Sequence, residues 1–427
     1  MSKPVIGTVV LKVASPCNIN CTYCYEYNRG DESWRLKPKR VSIETARVLA
    51  SRVREYCVEN GLSSFAINLH GGEPMLLGAH GIDELVQVMR TEASPINLRF
   101  GLQSNATLVT DPILDSLQRH GIRVGASLDG GADANRFRVD HHGNPTWEKA
   151  CEGIRKLRDA NCLAGIQAVI NLDTGPESVL QALGALGPQL IELGQPFGNY
   201  DNPPATNLQR YSLGAWLCEA FDVWISDPRL SKIRVQVFVD AIESIATERS
   251  RSDWISSAPP GYLIVAADGG YEGLDTLKVV GTEGRVLGLD VYGEGIGQAL
   301  DHPFVRARDT FGSLCSTCMS CSIRSWCAGG YYPTRYGLGN GYQNPSIYCS
   351  DLKLFFMHVG YWMADQPEMD DDARTRIRKR IQGLAEGSWT EIGGAGNSDI
   401  LGRVATVPMT IAGSPVGSSI KGGCEDA

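Results

Sequence analysis

The sequence predicts an α/β protein: a partial (β/α)6 barrel of the TIM type, followed by a smaller cysteine-rich domain. Three observations carry this reading. Strand-like and helix-like segments alternate about six times over the first half of the chain, which argues for a parallel sheet with helical crossovers. Three cysteines, Cys17, Cys21 and Cys24, share one loop directly after the first strand-like run. Five more, Cys315, Cys318, Cys321, Cys327 and Cys349, gather late in the chain. A fully closed barrel takes about eight units, so about six leave it open.

The elements follow in order. An apolar run from Val5 to Val13 reads as the first strand and leads into the cysteine loop. A charged stretch, Glu26 to Arg40, comes next. Ser42 caps a helix running to about Asn60. Phe65–Leu69 is a strand that ends in His70-Gly-Gly-Glu-Pro74, and a helix follows around Ile82–Met89. Leu98–Leu102 is the third strand and Pro112–Gln118 the third helix, closed by Gly121. Ile122–Leu128, Leu163–Asn171 and Gln189–Leu193 are the remaining strands. Trp147–Ala160 and Glu177–Leu186 are the helices between them. A polar Pro/Asn-rich loop, Asn199–Thr206, precedes helices at Leu208–Trp224 and Val235–Glu248. A strand, Tyr262–Ala267, and a turn at Asp268–Gly270 open the second domain near Pro259. Asp351–Met363 is a further helix, Arg374–Arg380 is strongly basic, and a Gly/Ser-rich tail begins at about Gly387. The expected divisions are a barrel over 1–230, a helical linker over 231–258, a cysteine-rich domain over 259–365, and a charged helix with a flexible tail over 366–427.

Composition bounds the rest. A chain of 427 residues with 43% hydrophobic and 21% charged residues is an ordinary globular protein of more than one domain. A net charge of −8 argues against a general nucleic-acid or anionic-membrane binder. No apolar stretch approaches the ~20 residues that span a bilayer, and no signal-peptide pattern opens the chain. A cytoplasmic location is expected. Thirteen cysteines, two groups of them clustered, fit a reducing compartment with metal-ligand clusters better than a disulfide framework.

Chemistry in parallel α/β folds gathers at the C-terminal ends of strands. The cysteine loop, Gly71-Gly72-Glu73-Pro74, Gln103-Ser104-Asn105 and Ser127-Leu-Asp129-Gly130 all follow strands and should share one rim. Three thiolates on a metal or cluster leave a position open for something else, whereas structural zinc is closed by protein ligands. Paired glycines let the backbone approach a ligand closely. Ser104, Asn105, Ser127 and Asp129 are candidate hydrogen-bonding groups for such a ligand, and Asn171 is a weaker one. In the late group, four thiolates suffice to close a zinc or an iron–sulfur site, and the chemistry alone does not choose between them.

The spacing Cys17-x3-Cys21-x2-Cys24, with Tyr23 before the third cysteine, resembles the signature of radical S-adenosylmethionine (SAM) enzymes. Gly71-Gly72-Glu73-Pro74 resembles their second motif, which contacts the SAM amino group. Cys318-x2-Cys321-x5-Cys327, followed by Cys349, resembles the SPASM (twitch-like) iron–sulfur extension of peptide-modifying members. The resemblance implies SAM and two [4Fe-4S] clusters. Cys17, Cys21 and Cys24 would hold the SAM-binding cluster, and Cys318, Cys321, Cys327 and Cys349 the auxiliary one. SAM contacts are expected from Tyr23, Gly71, Gly72, Glu73, Pro74, Ser104, Asn105, Ser127 and Asp129. A full SPASM domain adds a second auxiliary cluster with cysteines from the hairpin after the Asp-Gly turn and from position 331. Here the hairpin, Asp268 to Asp275, has none and position 331 is tyrosine. One auxiliary cluster is therefore expected, with Cys315 spare.

Further segments narrow the resemblance: Val10–Ser15, Ser33–Arg35, Asp275–Lys278, Cys327–Tyr336 and Asn344–Cys349. They look like the cyclophane-forming maturases of ribosomally made peptides. That subgroup implies reductive cleavage of SAM, abstraction of a peptide Cβ hydrogen by the 5′-deoxyadenosyl radical, and an aromatic-carbon to Cβ cross-link. Asp201 and Glu272 are candidate bases for the proton then lost. The expected partners are a precursor peptide, an electron donor of flavodoxin or ferredoxin type and a separate leader-binding protein. Thioether formation and side-chain oxidation keep the same scaffold and change the bond. A zinc-stabilised peptide-binding scaffold is the non-enzyme alternative.

Overall fold

The computed structural model describes residues 5–204, 210–248, 252, 254–255, 261–281, 286–306 and 314–386. The expected domain boundary at Pro259 and the tail from Gly387 lie outside these residues. One ten-stranded sheet runs through the molecule in the order β10-β9-β8-β1-β2-β3-β4-β5-β6-β7. Its parallel part is β1 (Thr8–Ala14), β2 (Ser64–Gly71), β3 (Asn97–Ser104), β4 (Arg123–Ser127), β5 (Leu163–Val169) and β6 (Leu190–Gly194). The crossovers are α1 (Ile43–Glu59), α2 (Gly78–Ala93), α3 (Asp111–His120), α4 (Trp147–Asp159) and α5 (Pro176–Gly184). This is the six-unit partial barrel that the alternation predicts. Helix α6 (Leu213–Ser226), the short strand β7 (Arg234–Val235) and α7 (Gln236–Thr247) follow.

The strands obey the period-two rule, which gives each face its own character. On β2, Phe65, Ile67 and Leu69 are fully buried under the helices, while Asn68 and His70 point to the concave face. Each helix presents an apolar stripe to the sheet; α1 buries Ala46, Leu49, Ala50 and Val53. Burying Leu49 or Val53 contributes about 1.5–3 kcal/mol each, and the alanines less. Ser42 caps α1 by accepting from the Thr45 amide, as the sequence suggests. Two boundaries differ from expectation. α2 starts at Gly78, after a 3-10 turn over Pro74–Leu77. α6 starts at Leu213, because Ser212 accepts from the Ala215 amide at 3.2 Å and fixes the start there.

The late strands do not form a sheet of their own. β8 (Tyr262–Val265) pairs in parallel with β1, Thr8 opposite Tyr262 and Leu11 opposite Val265. β9 (Gly270–Glu272) and β10 (Val286–Asp290) continue from it antiparallel. The cysteine-rich segment is helical: α8 (Ile296–Leu300), α9 (Pro303–Arg306), α10 (Ser316–Met319), α11 (Arg324–Cys327), α12 (Cys349–Ala364) and α13 (Asp371–Glu386). Helix α12 is buried along most of its length and packs on α6, with Gly214 held against the Asp351 backbone.

Candidate active site at the strand ends

The cysteine loop hangs from β1 and is clamped by the end of β2. The Gly72 amide donates to Ala14 O at 2.7 Å, and the Glu73 amide to Pro16 O at 3.1 Å. A Cβ on Gly71 would lie 2.2 Å from Ala14 O, and one on Gly72 would lie 2.1 Å from both Pro16 O and the Tyr27 hydroxyl. The glycine pair is required first because the loop's own backbone packs on it. Glu73 is wholly buried and faces the protein. Its carboxylate accepts from Met75 N (3.0 Å), Ser104 Oγ (2.8 Å) and Asn105 N (2.8 Å), so it ties the end of β2 to that of β3. Burial pushes its pKa up, against these hydrogen bonds.

Asn105 continues the tie. Its Nδ2 reaches Cys17 Sγ at 3.7 Å and donates to Asn18 Oδ1 at 2.9 Å. On the other side, the Tyr23 hydroxyl donates to the buried Asp129 carboxylate. Asp129 also accepts from Val169 N at 3.0 Å and stands 3.8 Å from Arg138, whose Nη1 donates to the Tyr23 hydroxyl at 3.0 Å. Tyr23, Asp129 and Arg138 thus form a connected triad in which Asp129 and Arg138 are buried and Tyr23 is half-buried. Burial raises the Asp129 pKa and Arg138 opposes the rise.

These groups surround a cavity of about 700 Å³. Cys17, Cys21, Cys24, Tyr23, Gly71, Gly72, Ser104, Asn105, Ser127 and Asp129 all line it. Among the expected SAM-contact residues, Glu73 and Pro74 do not; they lie behind the wall. Asn171 lines a small neighbouring recess instead. The concave strand positions Asn68, His70, Gln103, Gln167 and Glu192 add a polar wall. Phe197, Trp254 and Tyr331 form an aromatic one, with Trp254 stacked on Tyr331 at 5.3 Å and 15°.

Neither expected base lines the cavity. The Asp201 carboxylate sits at the surface and accepts from Leu338 N at 2.7 Å. Glu272 is buried 3.4 Å from the Lys12 ammonium. Lys12 also holds Glu26 at 3.0 Å, and Glu26 in turn pairs with Lys278. This four-membered ion cluster joins the cysteine loop to the hairpin of the late domain. Burial opposes ionisation of Glu26, but Lys12 and Lys278 outweigh it and bring its pKa down to about 2. Among the described residues, the acidic residues that line the cavity are Glu26, Asp129, Glu192 and Asp240. The strand alternation carried a signal for Asn68, His70, Gln103, Gln167 and Glu192, since polar residues recur at every second position of otherwise apolar strands. Nothing in the sequence marked Arg138 or Trp254.

The three loop thiols suit a cluster better than free thiol chemistry. Burial, with Glu73 adding to it at Cys17, pushes Cys17 and Cys24 up to about 12, and Cys21 rises for the same first reason. A nucleophilic cysteine needs the opposite shift, whereas a bound cationic metal supplies the compensating charge and displaces the protons. The late cysteines make a second, tighter site. Cys318, Cys321, Cys327 and Cys349 line a void of about 20 Å³ with Gly329, Ser346 and Lys353. Burial, then the neighbouring Cys349 and Cys321, pushes Cys327 up to about 12. Among the described residues, no group of three or more His, Cys, Asp or Glu closes around a single metal ion. Position 331, where a second auxiliary cluster would need a cysteine, is filled by packing. Leu274 and Tyr331 share one buried apolar cluster with Leu277, and the Tyr331 hydroxyl bonds Thr276.

A partial barrel with three thiols at the end of its first strand and a cavity above them defines a class, and comparison with known proteins agrees. Residues 12–182 match the model of the radical SAM superfamily. An uncharacterised protein of Methanocaldococcus jannaschii is 28% identical over 185 residues, which is 43% of this chain and 60% of that protein. The cysteine-type anaerobic sulfatase-maturating enzyme of Clostridium perfringens is 24% identical over 83% of this chain and 96% of that protein. The fold is similar to that of native anSMEcpe with bound AdoMet and Cp18Cys peptide (TM-score 0.70, 18% identity, 88% of this chain and 99% of that one). It is also similar to Streptococcus suis SuiB bound to its precursor peptide SuiA (TM-score 0.55, 15% identity, 77% and 72%). Among the described residues, no helix is long and apolar enough to cross a membrane.

Proposed function

We propose that this protein is a SAM-dependent maturase that cross-links a ribosomally made peptide, joining an aromatic ring carbon to the Cβ of a nearby residue. The observation that carries the reading is convergence. The three-thiol loop, the strand-end polar groups and an aromatic wall of Phe197, Trp254 and Tyr331 all face one cavity of about 700 Å³. That is within the usual range for a cofactor with part of a substrate, about 300–1,000 Å³. Cys17, Cys21 and Cys24 would hold one [4Fe-4S] cluster, and Cys318, Cys321, Cys327 and Cys349 the other. When bound, the first cluster with SAM supplies a 5′-deoxyadenosyl radical able to take hydrogen from an unactivated C–H bond.

The protein's own residues orient and shield. Asn105 and the Glu73 tie fix the loop, and the Tyr23–Asp129–Arg138 triad holds its underside. Trp254, Phe197 and Tyr331 offer an apolar wall to the peptide. Glu192 and Asp240 line the cavity and are the groups offered as proton acceptor. Asp201 and Glu272 stand outside it, so a role for either needs the substrate to reach past the wall. The peptide, an electron donor and any leader-binding partner come from outside the chain. The two solved neighbours with bound peptides support a peptide substrate. A second reading, oxidation of a protein side chain, is favoured by the extent of similarity to the sulfatase-maturating enzyme.

Co-expression with short neighbouring reading frames, followed by tandem mass spectrometry, separates the two. The first reading expects a peptide lighter by two hydrogens, with fragmentation blocked between an aromatic residue and its partner. Fragmentation through that interval, with the change confined to one Cys or Ser side chain, contradicts it.

A further inference from the structure

We infer that Arg335 is a positioning residue for the auxiliary cluster, holding a fixed positive charge against it and so raising its reduction potential. The inference rests on the proposed cluster at Cys318, Cys321, Cys327 and Cys349. Arg335 closes the 3-10 turn Tyr332–Arg335, just after Cys327, and is only 6% exposed. Its Nε and Nη1 have no hydrogen-bond partner among the described residues. A buried guanidinium with orphaned donors is costly and calls for an anionic or accepting partner. The partner is indicated by what lies beside it. Nη1 comes within 3.3 Å of the Cβ position of Gly329, which lines the small void of the four thiols. Cys318, Cys327 and Cys315 all act on it electrostatically.

Other contacts do not account for the side chain. Its guanidinium lies 5.0 Å from the centre of the Tyr332 ring, a cation–π contact that leaves Nε and Nη1 without a hydrogen-bond acceptor. Neither Nε nor Nη1 is bonded by a carboxylate among the described residues. Four thiolates around iron and sulfide carry net negative charge, and each electron added makes it more negative. Hydrogen bonds and charge near the sulfurs are established levers on cluster potential. An Arg fork, permanently charged and rich in donors, suits this role. Arg324 and Lys353 line the void, and Cys349 feels the charge of Lys353, but Arg324 is exposed and Lys353 half-buried, so Arg335, just behind the lining, is the most deeply buried of the three cations.

The test uses the full chain with Cys17, Cys21 and Cys24 all replaced by Ala, so that only the auxiliary cluster loads. Its iron content and midpoint potential are measured by EPR-monitored redox titration, then again with Arg335→Met, Arg335→Gln and Arg335→Lys. Arg335→Met and Arg335→Gln should shift the reduction equilibrium at least tenfold toward the oxidised form, about 59 mV lower for a one-electron couple. Arg335→Lys should restore most of it. An unchanged potential in the neutral variants, with about four irons retained per chain, overturns the inference. So does loss of the cluster from Arg335→Lys together with the neutral variants, since that marks a merely structural side chain. If the parent chain with intact Arg335 loads no iron, the cluster reading itself has failed.

Discussion

The two cysteine sites differ in how much space stands over them. The early loop offers three thiols at the mouth of a cavity of about 700 Å³, whereas the late site packs four around a void of about 20 Å³. Burial raises the pKa of Cys17, Cys21 and Cys24 in the first site and of Cys318, Cys327 and Cys349 in the second, a shift that a bound cation would offset. What separates them is the spare coordination position and the room above it. An open site can bring a second molecule to the metal; a closed one can hold only charge. In the function proposed above, chemistry falls to the strand ends of the barrel and electron handling to the late domain.

The largest expected effects come from breaking either side of that contrast. Cys21→Ala or Cys24→Ala should lower iron from about eight to about four per chain, with all radical chemistry lost. Cys349→Ala should remove the same amount of iron, yet leave SAM cleavage in place while peptide product disappears. Iron assay with quantification of 5′-deoxyadenosine and product separates the two. If the late-site variant also stops SAM cleavage, the division of labour is wrong.

The seam between the two regions is the next target. Glu26→Gln leaves the buried Lys12 and Lys278 facing too little negative charge, and should cost about 3–5 kcal/mol in denaturant unfolding. The pH dependence has a definite sign. The carboxyl is ordinarily near 4.5 and is held down to about 2 in the fold. Its stabilisation is therefore fully present above pH 4.5 and is lost as pH falls from there through 2. The stability gap between the native protein and Glu26→Gln should narrow over that window; a gap that stays constant from pH 7 to 3 would exclude the assignment. The smallest effect is expected at Cys315, which lies beside Cys318 but does not line the void. Cys315→Ser should keep its full iron content and its auxiliary EPR signal, and loss of either would make it a ligand.

Much of this was legible in the chain. The cysteine spacings, the glycine pair and the strand–helix alternation are local patterns, and the structure puts them on one rim. The reason for the glycines was only partly legible, because their close neighbour is the Pro16 carbonyl, reached by folding β2 against β1. The ion cluster was not legible at all. Glu26 and Lys278 lie 252 residues apart and meet only because β8 pairs with β1. The same pairing explains why Glu272, a plausible base on paper, is drawn into a structural ion pair. Arg138 sits in a loop between β4 and α4, where no periodicity announces a buried charge.

The central claim is that the open three-thiol site binds and cleaves SAM. The direct measurement is 5′-deoxyadenosine formed by the anaerobically reconstituted, dithionite-reduced chain, beside Cys21→Ala prepared in the same way. The account predicts nucleoside from the native chain and none from the variant. Equal amounts from both, or none from a native chain carrying about eight irons, would contradict it.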